Sequence, residues 1–464
     1  MLGAPARPQR RRAWRPSPAP PPGRSAGVRG DHPLRPRPTA ARASVAAIPG
    51  APDERPPGVT TPRDRGIVAA MQPSRRSAAV PPSVTFAIDN RVTELRSQGA
   101  DVVGLGAGQP DFLTPPEAIE AARAFIAEGR VLYTPAAGLP ALREAAAAHL
   151  SRICEVPYEA SQLVVTNGAK EGLSLAFTAV CDPGDEVVLP QPSWVSYVPM
   201  AEVVGLKVVH APTDADNGFK LTAEGLEAAC SERTRAVLLN SPSNPTGSVH
   251  TPAELAELAE VIVARDLTLI SDEIYWCYVF EGRHVSPASL PGMAERTVVI
   301  NGLSKSHAMT GWRIGFLAAP APVAAAIASI KSHTSSNIAA PSQHAALAAL
   351  AAGSAHTEHM AAAFRRRRDL AVAALDAMPG VELVPPQGAF YVFPRVDALY
   401  GGSIGGSIEL CQQLLDQELL AAVPGAAFGE DRCIRLSIAA ADEQISEGLA
   451  RMARCLGQLT EQVG

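Results

Sequence analysis

From Pro81 onward the chain alternates short apolar runs with longer segments of helical period. The runs Leu163 to Thr166, Glu186 to Leu189, Ala236 to Leu239, Leu267 to Ile270 and Thr297 to Ile300 are rich in β-branched residues and end at Gly, Pro, Asn or Asp. Such runs predict strands buried on both faces of a mostly parallel sheet, and their alternation with helices predicts an α/β fold. Ligands of these sheets sit beyond the carboxyl ends of the strands. The residues that follow each run are therefore where chemistry is sought.

Residues 1 to about 75 break the pattern. Arg7, Arg10, Arg11, Arg12, Arg15, Arg24 and Arg29 crowd a Pro- and Ala-rich tract with no acidic residue before Asp31. Without an apolar core this is no secretory signal, and the Arg-rich, acid-poor composition fits an organelle transit peptide. Import into a plastid, or else a mitochondrion, is expected. The alternatives are a disordered low-complexity extension, or an over-extended start with Met71 as the true beginning.

At 464 residues, 47% hydrophobic and 19% charged, the chain has the composition of a soluble two-domain enzyme. A net charge of −5 spread over that length argues against a nucleic-acid or membrane partner. No run of apolar residues is long enough for a membrane span. The seven cysteines show no CxxC pair and read as reduced thiols.

Five segments carry candidate chemistry, each with a plainer alternative. In NGLSKSHAMTGWRIG (301–315), Lys305 lies past a strand end, where desolvation lowers an amine's pKa enough for it to form an imine with an aldehyde cofactor. Most lysines are simply solvated. Arg313 offers a planar fork suited to a phosphate dianion, or else a structural ion pair. In SDEIY, Asp272 is a carboxylate that needs a cation such as a pyridinium nitrogen, or else caps a helix; Tyr275 follows it. SPSNPTG brings Asn244 to the same edge as a donor to a ring oxygen, although Asn-Pro turns often only reverse the chain. TNGAKEG opens a helix at Gly168 and Ala169, a phosphate cup by dipole and amides or an ordinary strand-to-helix turn. Trp194 could lie flat on a planar ring, or be core.

VVGLGAGQPD is a decoy for nucleotide binding: its glycines are spaced two by two and Pro110 interrupts the helix a pyrophosphate would need. HExxH and P-loop motifs are absent from the sequence.

Taken together, these strings resemble the class I aminotransferases of the aspartate aminotransferase fold, from about Pro81 to the end of the chain. The resemblance implies the fold type I architecture of pyridoxal-phosphate enzymes, with a small domain from both chain ends (76–124 and 346–464) and a large cofactor domain (125–345). It implies Lys305 as Schiff-base lysine and proton shuttle, Asp272 at the pyridine nitrogen, Tyr275 and Asn244 at the ring hydroxyl, and Arg313 on the phosphate with Gly168 and Ala169. Trp194 would stack on the ring. Tyr133, in YTPAAGLPALR, would reach the phosphate of a neighbouring subunit, making the active unit a homodimer. Arg435, in CIRLSIA, would grip the substrate α-carboxylate, and Gly108 would close over it.

SPSNPTGSV, ASLPGMAERT, SHAMTGWRIGF, PQGAFYVF and VPGAAFGEDRCIRLS resemble more closely the branch that includes plastid aminotransferases acting on aspartate and prephenate. In that branch Lys170 matches a lysine that reads a distal carboxylate, and Thr85 a threonine linked to prephenate use. Ser193 and the pair Trp276-Cys277 depart from it, which bears on substrate preference. The expected reaction is ping-pong transamination between small amino and keto acids. A plain aspartate aminotransferase, a lyase of the same fold and a regulator built on this domain are the rival readings, and no helix-turn-helix precedes the domain to support the last.

Overall fold

The computed structural model describes residues 72–78, 80, 82 and 84–463. The expected transit segment lies almost entirely outside them. Met71–Gly464 form one compact unit.

A seven-stranded sheet organises its centre: β1 (Leu163–Asn167), β2 (Glu186–Gln191), β3 (Lys207–Pro212), β4 (Thr234–Asn240), β5 (Thr268–Asp272), β6 (Thr297–Gly302) and β7 (Ile314–Ala318). Their spatial order is β1-β7-β6-β5-β4-β2-β3. All pairings are parallel except those of β7, which runs antiparallel to β1 and β6. The five predicted runs all became strands of this sheet. The edge strand β3 and the antiparallel β7 were not foreseen. β3 carries a mixed exposure pattern, and β7 begins within the last two residues of the segment read as a lysine motif.

Leu, Val and Ile side chains of the sheet pack against its helices, as with Leu173, Phe177, Val187, Leu189 and Ile300 on one face. A second core forms around Phe364, Phe390, Tyr391, Leu414, Leu436 and Met452, joined by Val103 and Leu105 from the other end of the chain. Within it, Tyr391–Val392 and Val423–Pro424 both pair antiparallel with Ile434–Ser437, and Val103–Gly104 pairs parallel with Leu420–Ala421. The helix Pro116–Ala127 buries Ala118 and Ala122 with Leu142, Leu163 and Val165 on the other side of the large sheet.

Register aligns the functional ends. Asn240 pairs with Asp272, and Asp272 with Ile300, so the segments after β4, β5 and β6 emerge at one edge. Because β7 runs the opposite way, its start lies at that same edge, with Ile314 opposite Asn167. This reversal delivers Arg313 to the carboxyl end of β1.

Candidate active site

Lys305 sits in the short helical turn Leu303–Ser306 directly after β6. Its Nζ donates to the Gly108 carbonyl and lies 5.8 Å from the Phe390 ring centre. Burial, then the nearby Arg435 and Arg313 guanidinium groups, pulls its pKa down to about 8, and Asp272 opposes them. Lys331, fully buried, is paired with Glu171 at 2.9 Å. Lys305 has no such carboxylate pairing among the described residues, and an amine with a pKa near 8 is in part a free nucleophile at neutral pH.

Asp272 ends β5 and is 3% exposed. Its Oδ2 accepts from the Tyr197 hydroxyl at 2.8 Å and its Oδ1 from the Ile274 amide at 3.2 Å. The plainer reading, a cap, thus holds for one oxygen in a turn. Burial pushes the carboxyl up to about 6, against the hydrogen bonds from Tyr197 and Ile274 that lower it. A buried carboxylate so sparsely solvated favours a cationic neighbour.

The residues read as a phosphate cup, Gly168, Ala169 and Arg313, are brought together. Helix Gly168–Val180 starts without a side-chain cap, leaving its first amides aimed at the site. Gly168 has φ +73, and a Cβ there would lie 2.4 Å from Arg313 Nη2. Arg313 donates to the Thr310 and Asn167 carbonyls at 3.1 and 3.0 Å, and a carbonyl does not neutralise its charge. Ala169 follows in the first turn.

Arg435, 2% exposed, donates from Nη1 to Asn244 Oδ1 at 3.0 Å and from Nη2 to the Gly106 carbonyl at 2.6 Å. Its Nε is buried without a partner among the described residues. The guanidinium lies 4.5 Å from the Tyr391 ring centre and 5.0 Å from Phe428. Tyr275 is buried with its hydroxyl 3.0 Å from that of Tyr391. Asn244 uses its carbonyl oxygen on Arg435, which leaves its amide N–H groups for another acceptor.

Lys170 holds its Nζ 4.8 Å from the Trp194 ring centre and 6.0 Å from that of Phe86. Its pKa is lowered, by burial first and by Arg313 second. Trp194 meets Tyr197 edge to face. Thr85 is half-buried in helix Val84–Ser97, and a Cβ on Gly108 would come 3.0 Å from the Tyr391 hydroxyl. Tyr133 stands 93% exposed. Trp276 and Cys277 line a different cavity that shares no residue with the contacts of Lys305.

Sequence reasoning missed Tyr197 and Tyr391. Tyr197 follows Trp194 by three residues, which puts the two on one side of a turn, and Tyr391 stood in the quoted string PQGAFYVF; neither was read as a site residue.

An amine to form an imine, an under-solvated carboxylate for a ring cation and a cationic, amide-lined cup are met together by a phosphorylated pyridine aldehyde. The residues present fit pyridoxal phosphate, and the architecture is that of the fold type I enzymes that use it.

Comparison with known proteins agrees. The family model "Aminotransferase class I and II" matches residues 100–452. A probable aspartate/prephenate aminotransferase of Aquifex aeolicus is 42% identical over 388 residues, covering 83% of this chain and 98% of that protein. A Petunia hybrida bifunctional aspartate aminotransferase and glutamate/aspartate-prephenate aminotransferase is 42% identical over 394 residues, covering 82% of each. The crystal structure of Thermus thermophilus aspartate aminotransferase with maleate superposes with a TM-score of 0.79 at 40% identity, covering 83% of this chain and all of the other. The chain belongs to the class I and II aminotransferases, and its cofactor is pyridoxal phosphate.

Proposed function

We propose that this aminotransferase moves the amino group of aspartate or glutamate to a keto acid by a ping-pong route, with prephenate among its acceptors and arogenate as product. The observation that carries the acidic-substrate reading is the pair of cations at the site: Arg435 buried with its Nε unpartnered, and Lys170 over Trp194. A substrate with two carboxylates satisfies both. The relatives named for aspartate and prephenate support the choice of acceptor.

Pyridoxal phosphate, when bound, supplies an electron sink for charge developing at the substrate α-carbon. Asp272 holds a proton at the ring nitrogen, and Tyr197 keeps Asp272 aimed. Arg313 and the amides of Gly168 and Ala169 bind the phosphate, while Tyr275 and Asn244 donate to the ring oxygen. Trp194 covers the ring. Lys305 would move a proton to and from the substrate α-carbon, a task suited to its lowered pKa. Arg435 grips the α-carboxylate, Gly108 closes over it, Lys170 reads the distal carboxylate and Thr85 contributes to prephenate use.

We also infer a homodimer in which Tyr133 reaches the partner's phosphate site. Supporting it, Tyr133 lies beside the exposed Val131 and Leu132, 50% and 63% accessible, an unusual cost for a monomer. Import into a plastid rests on the Arg-rich composition of the first 75 residues alone.

The test is the rate of prephenate, 2-oxoglutarate and oxaloacetate use by the protein from Met71 onward, with aspartate or glutamate as donor. Efficient use of prephenate is expected. Reaction with the dicarboxylates only would leave a plain aspartate aminotransferase and remove Thr85 from the site.

A further inference from the structure

Lys331 lies on the helix Ala321–Thr334, whose Ala324 and Ile327 pack with Leu173 and Phe177 of the helix Gly168–Val180. It is 0% exposed, and a lysine so deep is costly unless its charge is met. Its Nζ donates to both Glu171 oxygens, at 3.1 and 2.9 Å, and to Ser335 Oγ at 2.9 Å. Those contacts use every N–H donor of the ammonium group.

Glu171 stands in the first turn of Gly168–Val180, the helix whose start was read as the phosphate cup. Its Oε2 also accepts from the Asn167 amide, so the carboxylate folds back over the turn that opens the helix. The Asn167 carbonyl in turn accepts from Arg313 Nη2 at 3.0 Å. A chain of contacts therefore runs from Lys331 through Glu171 and Asn167 to Arg313.

An acidic residue in the first turn suits the helix dipole but opposes an anion held at the same end. A phosphate dianion bound by Arg313 and the amides of Gly168 and Ala169 meets the repulsion of Glu171. A cation seated directly on that carboxylate offsets the repulsion, and Lys331 is so seated, with no solvent to screen the pair from its side. A neutral donor in its place would satisfy the carboxylate oxygens and leave their charge.

We propose that Lys331 is a positioning residue for the cofactor phosphate: by neutralising Glu171 it lets that carboxylate hold the Asn167 turn without repelling the phosphate. The inference rests on the reading of Gly168, Ala169 and Arg313 as the phosphate cup. A pair that served packing alone would support pyridoxal phosphate and unphosphorylated pyridoxal equally. A pair that sets the charge of the cup matters to the phosphorylated form alone.

The experiment measures the dissociation constants of pyridoxal phosphate and of pyridoxal for the full-chain protein, reloaded after removal of its cofactor, from the absorbance change on binding. Lys331→Met should weaken pyridoxal phosphate by about tenfold or more, while pyridoxal changes by less than about threefold. Adding Glu171→Gln should restore pyridoxal phosphate to within about threefold of wild type, because Gln still accepts from the Asn167 amide and no charge is left unpaired. No loss in Lys331→Met, an equal loss of both ligands, or a loss that Glu171→Gln does not restore overturns the proposal. If Lys331→Met fails to fold, Glu171→Gln alone decides: tighter binding of pyridoxal phosphate with pyridoxal unchanged is expected, and equal or weaker binding overturns it. Arg313→Gln is the control for the cup itself. If it weakens pyridoxal phosphate where Lys331→Met does not, only the role of Lys331 falls; if it leaves that ligand unaffected, the cup is misplaced and the proposal falls with it.

Discussion

Two adjacent carboxylates at the end of β5 face opposite fates. Asp272 and Glu273 are 3% and 1% exposed, yet burial raises the pKa of Asp272 to about 6 while that of Glu273 is lowered. Burial opposes ionisation at both, so the partners decide. Glu273 collects His284, Ser271 and Ser286, and the Cys154 thiol at 3.6 Å, whereas Asp272 has one phenol and one amide. Glu273 is complete without a ligand. Asp272 is left shorter of donors than Glu273, and that shortfall, where mere burial does not, marks it as the candidate for function.

The comparison is broken most severely through the amine it serves. Lys305→Ala removes both nucleophile and proton carrier, and kcat measured with saturating cofactor should fall by at least about 10³-fold. Asp272→Asn should cost about 10²–10³-fold in kcat. In the cofactor-free protein the same change should not lower the melting temperature, because a poorly paired buried charge is removed. Arg435→Lys keeps the charge but loses the fork, and KM for aspartate should rise by about 10–100-fold.

Glu273→Gln should show the converse of Asp272→Asn: a loss of about 1–3 kcal/mol in denaturant unfolding, with kcat within a few-fold of wild type. The smallest effect is a pH slope. The folded pKa of Asp272, about 6, lies above its ordinary 3.8, so the folded state binds the extra proton between these values. Its contribution is full below 3.8 and is lost as the pH rises through about 6. The cofactor-free protein should lose stability across that window, and Asp272→Asn should flatten the slope in pH-dependent melting curves.

Much of this was legible in the sequence. The strands announced themselves as β-branched runs, and because ligands of such sheets lie past strand ends, Lys305, Asp272, Asn244 and Gly168 followed from position alone. Arg313 was singled out by its chemistry, but its route to the site was not: it depends on β7 running antiparallel, which no local period encodes. Tyr197 and Tyr391 escaped because their partners, Asp272 and Tyr275, are 75 and 116 residues away. The difference between Asp272 and Glu273 was equally invisible, since it depends on side chains brought in by β6 and the loops beyond β5. Trp276 was noticed as a departure bearing on substrate choice, whereas the structure packs it edge to face against His149.

The most direct test of the central claim, that Lys305 is the amine to which the cofactor is joined, is borohydride reduction of the holoenzyme followed by peptide mass mapping. The account predicts the pyridoxyl group on Lys305 and no label in Lys305→Ala. A label on Lys170 or Lys331, or an unchanged amount of label in the variant, would contradict it.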